Sequence, residues 1–349
     1  MLECVISRYA FCVLALLILG TGSTLNGDLA VERDSYAQGE KPVAEHLKFV
    51  REFSGPDDVI KGLPPAVEKS LTVLFGPADP HTVLKNLEKP FAMATDSNHR
   101  VFVADPTAGL VHIFDFENYT YAFLGGPESN LRSPVGVAID ADNQVYITDP
   151  PTALILVYDS RGKFIRYLGK VGERESYFQA PTGIAMDKQT GHIYVCDSAR
   201  HMVILLDKEG HILGHFGKRL GGNGPGDFRY PSRVLIAEEE IVVLDAGNLR
   251  LQILDLSGRY KREIRIPQLS LDTGLALDAQ KNIYVSNIQL GAIDVFSYDG
   301  QFLYRFGSMG TTPGEFRRPA GMWVESGNLL YVADILNKRV QLFEIQGTH

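Results

Sequence analysis

The sequence is poor in cysteine and tryptophan and has no excess of positive charge. Its 349 residues include 3 cysteines and 1 tryptophan, and 42 acidic residues against 34 basic ones give a formal net charge of −8. Cys4 and Cys12 lie in an apolar N-terminal segment, which leaves Cys196 as the only thiol beyond it. An internal disulfide is therefore excluded once that segment is removed, and c-type haem attachment is excluded because Cys-x-x-Cys-His is missing. The acidic balance argues against a nucleic acid partner, because phosphate binding needs a basic face.

The N-terminal apolar run is too short for a spanning helix, which needs roughly 20 residues. It extends from Tyr9 to Leu19, follows Arg8 and is followed by small residues. This order is typical of a secretory signal peptide, so we expect residues 1–25 to be a signal peptide or an uncleaved anchor. A polar linker is expected over residues 26–46, with no membrane span in the mature chain. The expected location is secreted or periplasmic, with a membrane tether if the signal is retained.

What the chain does contain is an internal repeat. Six segments of alternating apolar residues recur at spacings of 44, 48, 48, 42 and 47 residues, obtained by subtracting residue numbers. They end at Asp105, Asp149, Asp197, Asp245, Asn287 and Asp334. An alternating segment that ends in Asp or Asn indicates a strand running into a turn.

Each repeat predicts four strands. Pro-x-Gly-apolar precedes most of the segments, and a second apolar strand, a glycine turn and a last strand follow, as in "ILVYDSRGKFIRYLG". Four antiparallel strands in about 45 residues make one propeller blade. The rival β-solenoid has shorter repeats with fewer strands. The sequence therefore predicts an all-β fold, a six-bladed β-propeller with blades one to six over residues 90–349.

Two blades carry a more specific motif. "DAGNLR" (Asp245–Arg250) and "DILNKR" (Asp334–Arg339), with the upstream loops "GPGDFRYP" and "PGEFRRP", resemble the NHL repeat family of six-bladed propellers, in its exported bacterial form. The resemblance covers residues 47–349, although the other four blades depart from the Asn-x-Arg signature. It implies a binding or scaffolding module whose partner is a protein or peptide.

The sixth repeat lacks its last strand, and the N-terminal part of the chain supplies a candidate. "KFVREFSG" (Lys48–Gly55) matches "KFIRYLG" (Lys163–Gly169) closely, so residues 47–55 are predicted to close the ring as the outer strand of blade six. Between this strand and blade one, the insertion 56–89 contains "PPAVEKSLTVLFGP", the pattern of a short amphipathic helix. That helix is expected either to pack on the ring or to cover the channel and meet a partner.

The predicted channel offers no metal ligands. Catalytic six-bladed propellers, the lactonases and the peptidyl-hydroxyglycine lyases, hold a metal there through His, Asp, Glu or Asn. The inner strands of this chain open with Phe91-Ala92, Val135-Gly136, Thr182-Gly183, Ser232-Arg233, Thr273-Gly274 and Ala320-Gly321. We therefore predict no metal, no cofactor and no catalytic residue. Arg233 replaces the usual glycine, so it is expected to reach into the channel and either bind an anion or pair with a loop carboxylate.

Three loops on one face are unusually apolar. We call this the top face; it carries the loops between the second and third strands and the links between blades. The apolar loops are Pro106–Val111, Pro150–Ile155 and Ile288–Ile293. Exposed apolar clusters often mark binding sites, and the alternative is that these loops pack under the inserted helix. Leu110 and Leu154 stand where the signature blades carry Arg. The candidate binding residues are Leu110, Leu154, Arg233, Leu290, Arg250 and Arg339.

These observations favour an exported, monomeric NHL-type propeller that binds a protein or peptide on its top face. The alternative is a metal-dependent propeller enzyme, a lyase or a lactonase, with its site at the central channel. RNA binding, as in cytoplasmic NHL proteins, is disfavoured by the acidic composition.

Overall fold

The structure is a computed structural model that describes residues 46–60, 85–126, 129–169, 177–325 and 328–346. The chain enters through β1 (Leu47–Phe53) and a short helix, α1 (Asp57–Ile60). The predicted signal peptide, the linker up to residue 45 and the predicted helix at residues 64–77 lie outside the described residues. Within the described part of the chain no helix is long and apolar enough to cross a membrane.

Six four-stranded antiparallel sheets follow one another along the chain. Blades one and two contain β2 (Ala92–Thr95), β3 (Val101–Asp105), β4 (Leu110–Asp115), β5 (Thr120–Gly125), β6 (Gly136–Ile139), β7 (Val145–Asp149), β8 (Leu154–Tyr158) and β9 (Phe164–Leu168). Blades three and four contain β10 (Pro181–Met186), β11 (Ile193–Asp197), β12 (Met202–Leu206), β13 (Ile212–Gly217), β14 (Pro231–Ala237), β15 (Glu240–Asp245), β16 (Arg250–Asp255) and β17 (Tyr260–Arg265). Blades five and six, with the two-stranded link between them, contain β18 (Leu275–Leu277), β19 (Ile283–Asn287), β20 (Ala292–Phe296), β21 (Phe302–Phe306), β22 (Ser308–Met309), β23 (Glu315–Phe316), β24 (Pro319–Glu325), β25 (Leu329–Asp334) and β26 (Arg339–Ile345). The predicted six-bladed propeller is confirmed.

The N-terminal strand closes the ring as predicted. β1 pairs antiparallel with β26, from Leu47 opposite Ile345 to Phe53 opposite Val340. Its residue Phe53 is buried, with its ring centroid 4.7 Å from that of Phe114 in blade one. The strand therefore supplies the outer edge of blade six and also packs against the next blade, which removes an open sheet edge.

The core lies between adjacent blades, and their second strands contribute its largest rings. Tyr146, Tyr194, Tyr284 and Tyr331 are buried at corresponding positions. The hydroxyl of Tyr146 donates to Asp140 at 3.2 Å, and that of Tyr284 donates to Asp278 at 3.1 Å. Each ring thus adds apolar area to an interblade cluster while its hydroxyl finds an acceptor, which is a carboxylate for Tyr146, Tyr284 and Tyr331 and the carbonyl oxygen of Leu256 for Tyr194.

Aspartates at the ends of the second strands fix the top face. Asp149 accepts hydrogen bonds from the backbone N–H groups of Arg132 at 2.8 Å and Ser133 at 2.9 Å, which belong to the link entering its blade. Asp105, Asp197, Asp245 and Asp334 hold their incoming links in the same way. These carboxylates are engaged in hydrogen bonds to the links and do not form a carboxylate ring open to a ligand.

Candidate functional site: the top face and the channel mouth

The central channel is apolar along the inner strands. A cavity of about 210 Å³ lies there, and its lining is apolar except for Lys188. Typical members of this lining are Ile139, Met186, Leu277 and Trp323. Apart from Lys188, the side chains that line this cavity present no nucleophile or general base. Any polar recognition must therefore take place at the ends of the channel.

Arg233 crosses the top mouth of this channel. Its guanidinium carbon lies 4.7 Å from the centroid of the Phe91 ring, which belongs to blade one, opposite blade four in a ring of six. One of its terminal nitrogens, Nη1, donates to the carbonyl oxygen of Ser232 at 3.1 Å. The expectation that Arg233 reaches into the channel is confirmed. Of the two roles left open for Arg233, pairing with a loop carboxylate is not seen among the described residues: Asp272 lies close enough for its charge to act on Arg233, but its ion pair is with Arg318.

Polar atoms at this mouth lack partners. Five buried side-chain nitrogen or oxygen atoms in the described part of the chain make no hydrogen bond, and three of them are Ser232 Oγ, Arg233 Nη2 and Arg318 Nε. Burial lowers the pKa of Arg233, and the nearby carboxylate of Asp272 opposes that shift. A buried donor without an acceptor costs free energy, so a cluster of such donors at one place needs an explanation.

The top face carries exposed apolar side chains over blades three to six. Seven large apolar residues there are exposed: Leu220, Tyr230, Leu249, Leu271, Leu290, Met309 and Leu336. The other nine exposed large apolar residues lie on outer strands, apart from Tyr119 in a bottom hairpin. Among the described residues, the bottom face therefore has almost no exposed apolar surface, whereas the top face has a distributed set.

Three of these residues form one patch across blades five and six. Gly291, next to Leu290, lies so close to Met309 that a Cβ built on it would be 2.8 Å from the Cα atom of Met309. Asn337, next to Leu336, donates to the backbone carbonyl of the residue after Met309 at 2.9 Å. We call Leu290, Met309 and Leu336 the five–six patch. Leu290 was predicted to be a binding residue, and the structure leaves it 47% exposed.

A second patch spans blades three and four. Tyr230 packs edge-on against His201 with ring centroids 4.5 Å apart. Asn248, next to Leu249, donates at 2.8 Å to the carbonyl two residues after Leu220. Leu249 also has a left-handed backbone with φ 54°, which costs energy for a residue that is not glycine. We call Leu220, Tyr230 and Leu249 the three–four patch.

The same part of the top face carries unpaired positive charge. Arg219, Arg229, Arg317 and Lys338 are exposed there, and none of them forms an ion pair with any described residue. In the described top loops of blades three to six, no carboxylate is exposed. The half-buried carboxylates are engaged, Asp272 by Arg318 and Glu315 by backbone N–H groups. The apolar patches therefore lie in a positive field, although the chain as a whole is acidic.

Leu110 and Leu154 do not belong to this exposed set. Both are buried, and the chain itself covers them: Gly125 separates the side chains of Leu110 and Leu131, and Gly169 separates those of Leu154 and Phe178. The glycines have no side chain, so the leucine reaches across the outer strand to the apolar residue of the link. Both side chains are thus covered within the protein and are not exposed for a partner, while the predicted helix at residues 64–77 lies outside the described residues.

Arg250 and Arg339 are also unavailable to a partner. Arg250 is buried and donates to the carboxylates of Asp245 at 2.9 Å and Glu263 at 2.6 Å. Its remaining hydrogen bonds go to backbone carbonyls of the preceding link, at 2.9–3.0 Å. Arg339 repeats this pattern with Asp334 and with Glu52 of β1. The prediction of a binding role is corrected: both guanidinium groups hold a blade to its link.

No three side chains among His, Cys, Asp and Glu come together as a metal site in the part of the chain that the structure describes. Cys196 is buried in β11, and burial raises the pKa of its thiol. A thiol held neutral and away from solvent is a poor nucleophile, so Cys196 acts as a small apolar core residue.

Comparison with known proteins identifies the repeat. The family DUF5128, described as "6-bladed beta-propeller", matches residues 94–217, 187–287 and 272–349. The human E3 ubiquitin-protein ligase NHLRC1 is 32% identical over 120 residues, which are 34% of this chain and 30% of that protein. The Drosophila melanogaster protein brain tumor is 28% identical over 142 residues, 40% of this chain and 13% of its own length. The chain thus spans less than a third of either relative.

Solved structures share the fold. A streptogramin B lyase superposes with a TM-score of 0.57 at 10% identity, covering 87% of this chain and 100% of its own. A gluconolactonase from Xanthomonas campestris superposes with a TM-score of 0.56 at 16% identity, covering 74% and 88%. At such low identity the likeness concerns the propeller architecture and not its chemistry.

Proposed function

We propose, on the premise that this chain belongs to the DUF5128 family of six-bladed β-propellers with NHL-type repeats, that it is a scaffold that binds a protein or peptide on its top face. The observation that carries the proposal is the concentration of exposed apolar residues there. Leu249 and Leu336 are 43% and 54% exposed in loops that the fold would allow to be polar. Exposed apolar side chains grouped on one face favour a protein contact.

The NHL-type relatives support the same class of function. The human relative is named a ubiquitin-protein ligase, which is an enzyme that must engage other proteins. The support is by likeness, because this chain spans 30% of that relative. The chemistry of a ligase is not carried over.

A metal-dependent lyase or lactonase was the alternative. The lyase and gluconolactonase neighbours share only the fold at 10% and 16% identity. The described channel lining is apolar, and Arg233 lies across its mouth. No observation favours the enzyme over the scaffold, so we do not propose it.

Export and the monomeric state are part of the proposal. Residues 1–25 carry the pattern of a signal peptide, which supports a secreted or periplasmic protein or one tethered by an uncleaved signal. Fractionation of the native cells, with the N-terminal residue determined by mass spectrometry, tests this. Recovery of the protein from the cytoplasm with residues 1–25 intact would contradict it.

Site-specific photo-cross-linking tests the binding face. A benzophenone amino acid is placed at Leu336 or Leu249 on the top face, and at Leu303 on the outer strand of blade five as a control with a matched exposure of 44%. We expect a discrete cross-linked protein or peptide from the two top positions and none from the control. Cross-links from Leu303 but not from Leu336 and Leu249 would overturn the top face as the binding surface.

A further inference from the structure

We propose that the segment taken by the top face is an acidic, amphipathic peptide, and that one of its carboxylates is seated on Arg233 at the mouth of the channel. This inference rests on the proposed function, because it concerns the same face. It adds the chemical class of the partner and the residue that selects it.

The first support is the buried guanidinium group of Arg233, which has an unpaired nitrogen. Arg233 is 9% exposed, its Nη2 has no hydrogen-bond partner within the described chain, and its other contacts are the Phe91 ring and one carbonyl. Burying a charge that is not paired is costly. Other blades carry glycine at the position of Arg233, so the architecture does not require an arginine there. A carboxylate is the group that matches the planar, two-pronged donor geometry of guanidinium.

The second support is the charge around the mouth. Arg219, Arg229, Arg317 and Lys338 are exposed on the surrounding loops without ion pairs to described residues. Asp272, whose negative charge acts on Arg233, is already paired with Arg318. The top loops of blades three to six, with unpaired cations and no exposed carboxylate, attract an acidic segment and repel a basic one, whereas Glu88 is exposed in the link that enters blade one.

The third support is the apolar component. The cations share their loops with the two patches: Arg219 and Arg229 lie in the link of Leu220 and Tyr230, and Arg317 and Lys338 lie in the loops of Met309 and Leu336. A segment that alternates acidic and aliphatic residues can place carboxylates on the cations and side chains on the patches. Leucine and methionine dominate the patches, and Tyr230 is the one exposed aromatic residue among the seven. Nucleic acid binding uses aromatic residues for base stacking, so the composition favours a peptide over RNA.

The test is peptide binding by the full chain, measured by fluorescence anisotropy. The probe is a labelled ten-residue peptide of glutamate, leucine and serine, and its analogues replace every glutamate with glutamine or with lysine. We expect the glutamate peptide to bind at least tenfold more tightly than the glutamine analogue, and the lysine analogue not to bind. Arg233→Met should remove at least tenfold of affinity for the glutamate peptide and leave that for the glutamine analogue unchanged.

Controls separate this inference from its alternatives. Arg161→Met, in a bottom hairpin of blade two, should bind the glutamate peptide like the unaltered protein. If Arg233→Met is unfolded in a thermal melt, Arg233→Lys replaces it, because lysine keeps the charge but lacks the planar fork; we then expect a reduced preference for glutamate over glutamine.

Three results would overturn the inference: equal affinity for the glutamate and glutamine peptides, an Arg233 variant that loses both equally, or tighter binding of an oligouridine probe. Concentration-dependent self-association abolished by Leu336→Asp would also overturn it, because a second copy would then occupy the face. A partner that cross-links at Leu336 equally well in the Arg233→Met variant would contradict only this inference. Absence of any cross-link from Leu336 and Leu249 in a protein with Arg233 intact would contradict the proposed function.

Discussion

Blades four and six hold their links with a buried arginine, whereas blades one and two do the same with a buried leucine. Arg250 and Arg339 occupy the strand position that Leu110 and Leu154 occupy in the other pair. Each arginine ties a strand-end aspartate, an outer-strand glutamate and backbone carbonyls of the link. Each leucine instead reaches over an outer-strand glycine to an apolar residue of the link. The same connection is made by two chemistries.

The comparison shows that a repeat signature can report architecture and not function. In blade five the acidic and basic residues exchange strands. Its carboxylate, Asp294, lies on the third strand, and Arg305 donates to it from the outer strand at 2.6 Å. All three solutions satisfy the buried polar groups of a link or replace them with apolar contact. Residues outside this pattern, such as Arg233, are the ones that need another explanation.

Removing β1 should have the largest effect. A chain that lacks residues up to Phe53 loses the buried Leu47 and Phe53, about 1.5–3 kcal/mol each, and leaves Arg339 without Glu52. A chain that lacks residues up to Val43 keeps all of these contacts. We expect the longer truncation to melt several degrees lower or to fail to fold, as followed by thermal denaturation. Equal melting temperatures for the two truncations would contradict ring closure by β1.

The two ways of holding a link should respond differently to the same substitution. Arg339→Met leaves the buried carboxylate of Asp334 without its cation, which costs about 3–5 kcal/mol. Leu154→Met conserves volume in the apolar version and should cost less than about 1.5 kcal/mol. Urea denaturation of both variants measures the difference. Similar losses would mean that the arginine network stabilises its blade no more than shape alone does.

Arg233→Met should act in the opposite direction to Arg339→Met. The substitution removes a buried guanidinium whose Nη2 has no partner, and unsatisfied buried groups cost about 1–3 kcal/mol. We therefore expect the melting temperature to stay the same or rise. A fall comparable to that of Arg339→Met would show that Arg233 is a structural arginine of the same kind, with no free capacity for a ligand.

The smallest expected effect is a pH dependence at the contact of blades one and six. The carboxylate of Glu325 accepts a hydrogen bond from His99 Nδ1 at 2.7 Å, and this bond raises the pKa of His99 above its usual 6.5. The folded state therefore holds the proton more tightly, so this stabilisation is fully present below pH 6.5 and is lost as the pH rises through the folded pKa. Because the imidazole is about half exposed, the gain should stay below about 1 kcal/mol.

His99→Gln checks this sign. The variant should be less stable than the unaltered protein at pH 5.5 and equally stable at pH 8.5, as compared by urea denaturation. A deficit that grows with pH would show that His99 acts through something other than its proton.

The fold could be predicted from the sequence because each repeat contains the local patterns of its own strands. Alternating segments, glycine turns and a period near 45 residues fix four strands per blade. The match between Lys48–Gly55 and Lys163–Gly169 located the closing strand. Glu52 shows why it is equivalent: it meets Arg339 as Glu263 meets Arg250. Local pattern and tertiary pairing agree, so the prediction did not depend on distant contacts.

The binding face was less predictable. An apolar loop such as Pro106–Val111 looks available in the sequence, but its coverage depends on Leu131 in a link twenty residues away. The residues that are exposed, such as Leu249 and Leu336, are single apolar residues in polar loops and have no period to reveal them. The partners of Arg250 and Arg339 include backbone carbonyls of another loop, and no sequence motif specifies such partners. Arg233 was noticed because it breaks the glycine pattern of the inner strands.

The most direct test of the binding face is amide hydrogen exchange of the protein with and without its cross-linked partner. We predict that slowed exchange is confined to the top loops of blades three to six, around residues 218–230, 246–249, 288–291 and 308–318. The outer strands and the bottom hairpins should exchange as in the free protein. Protection of the outer strands or of the bottom hairpins, with the top loops unchanged, would contradict the account.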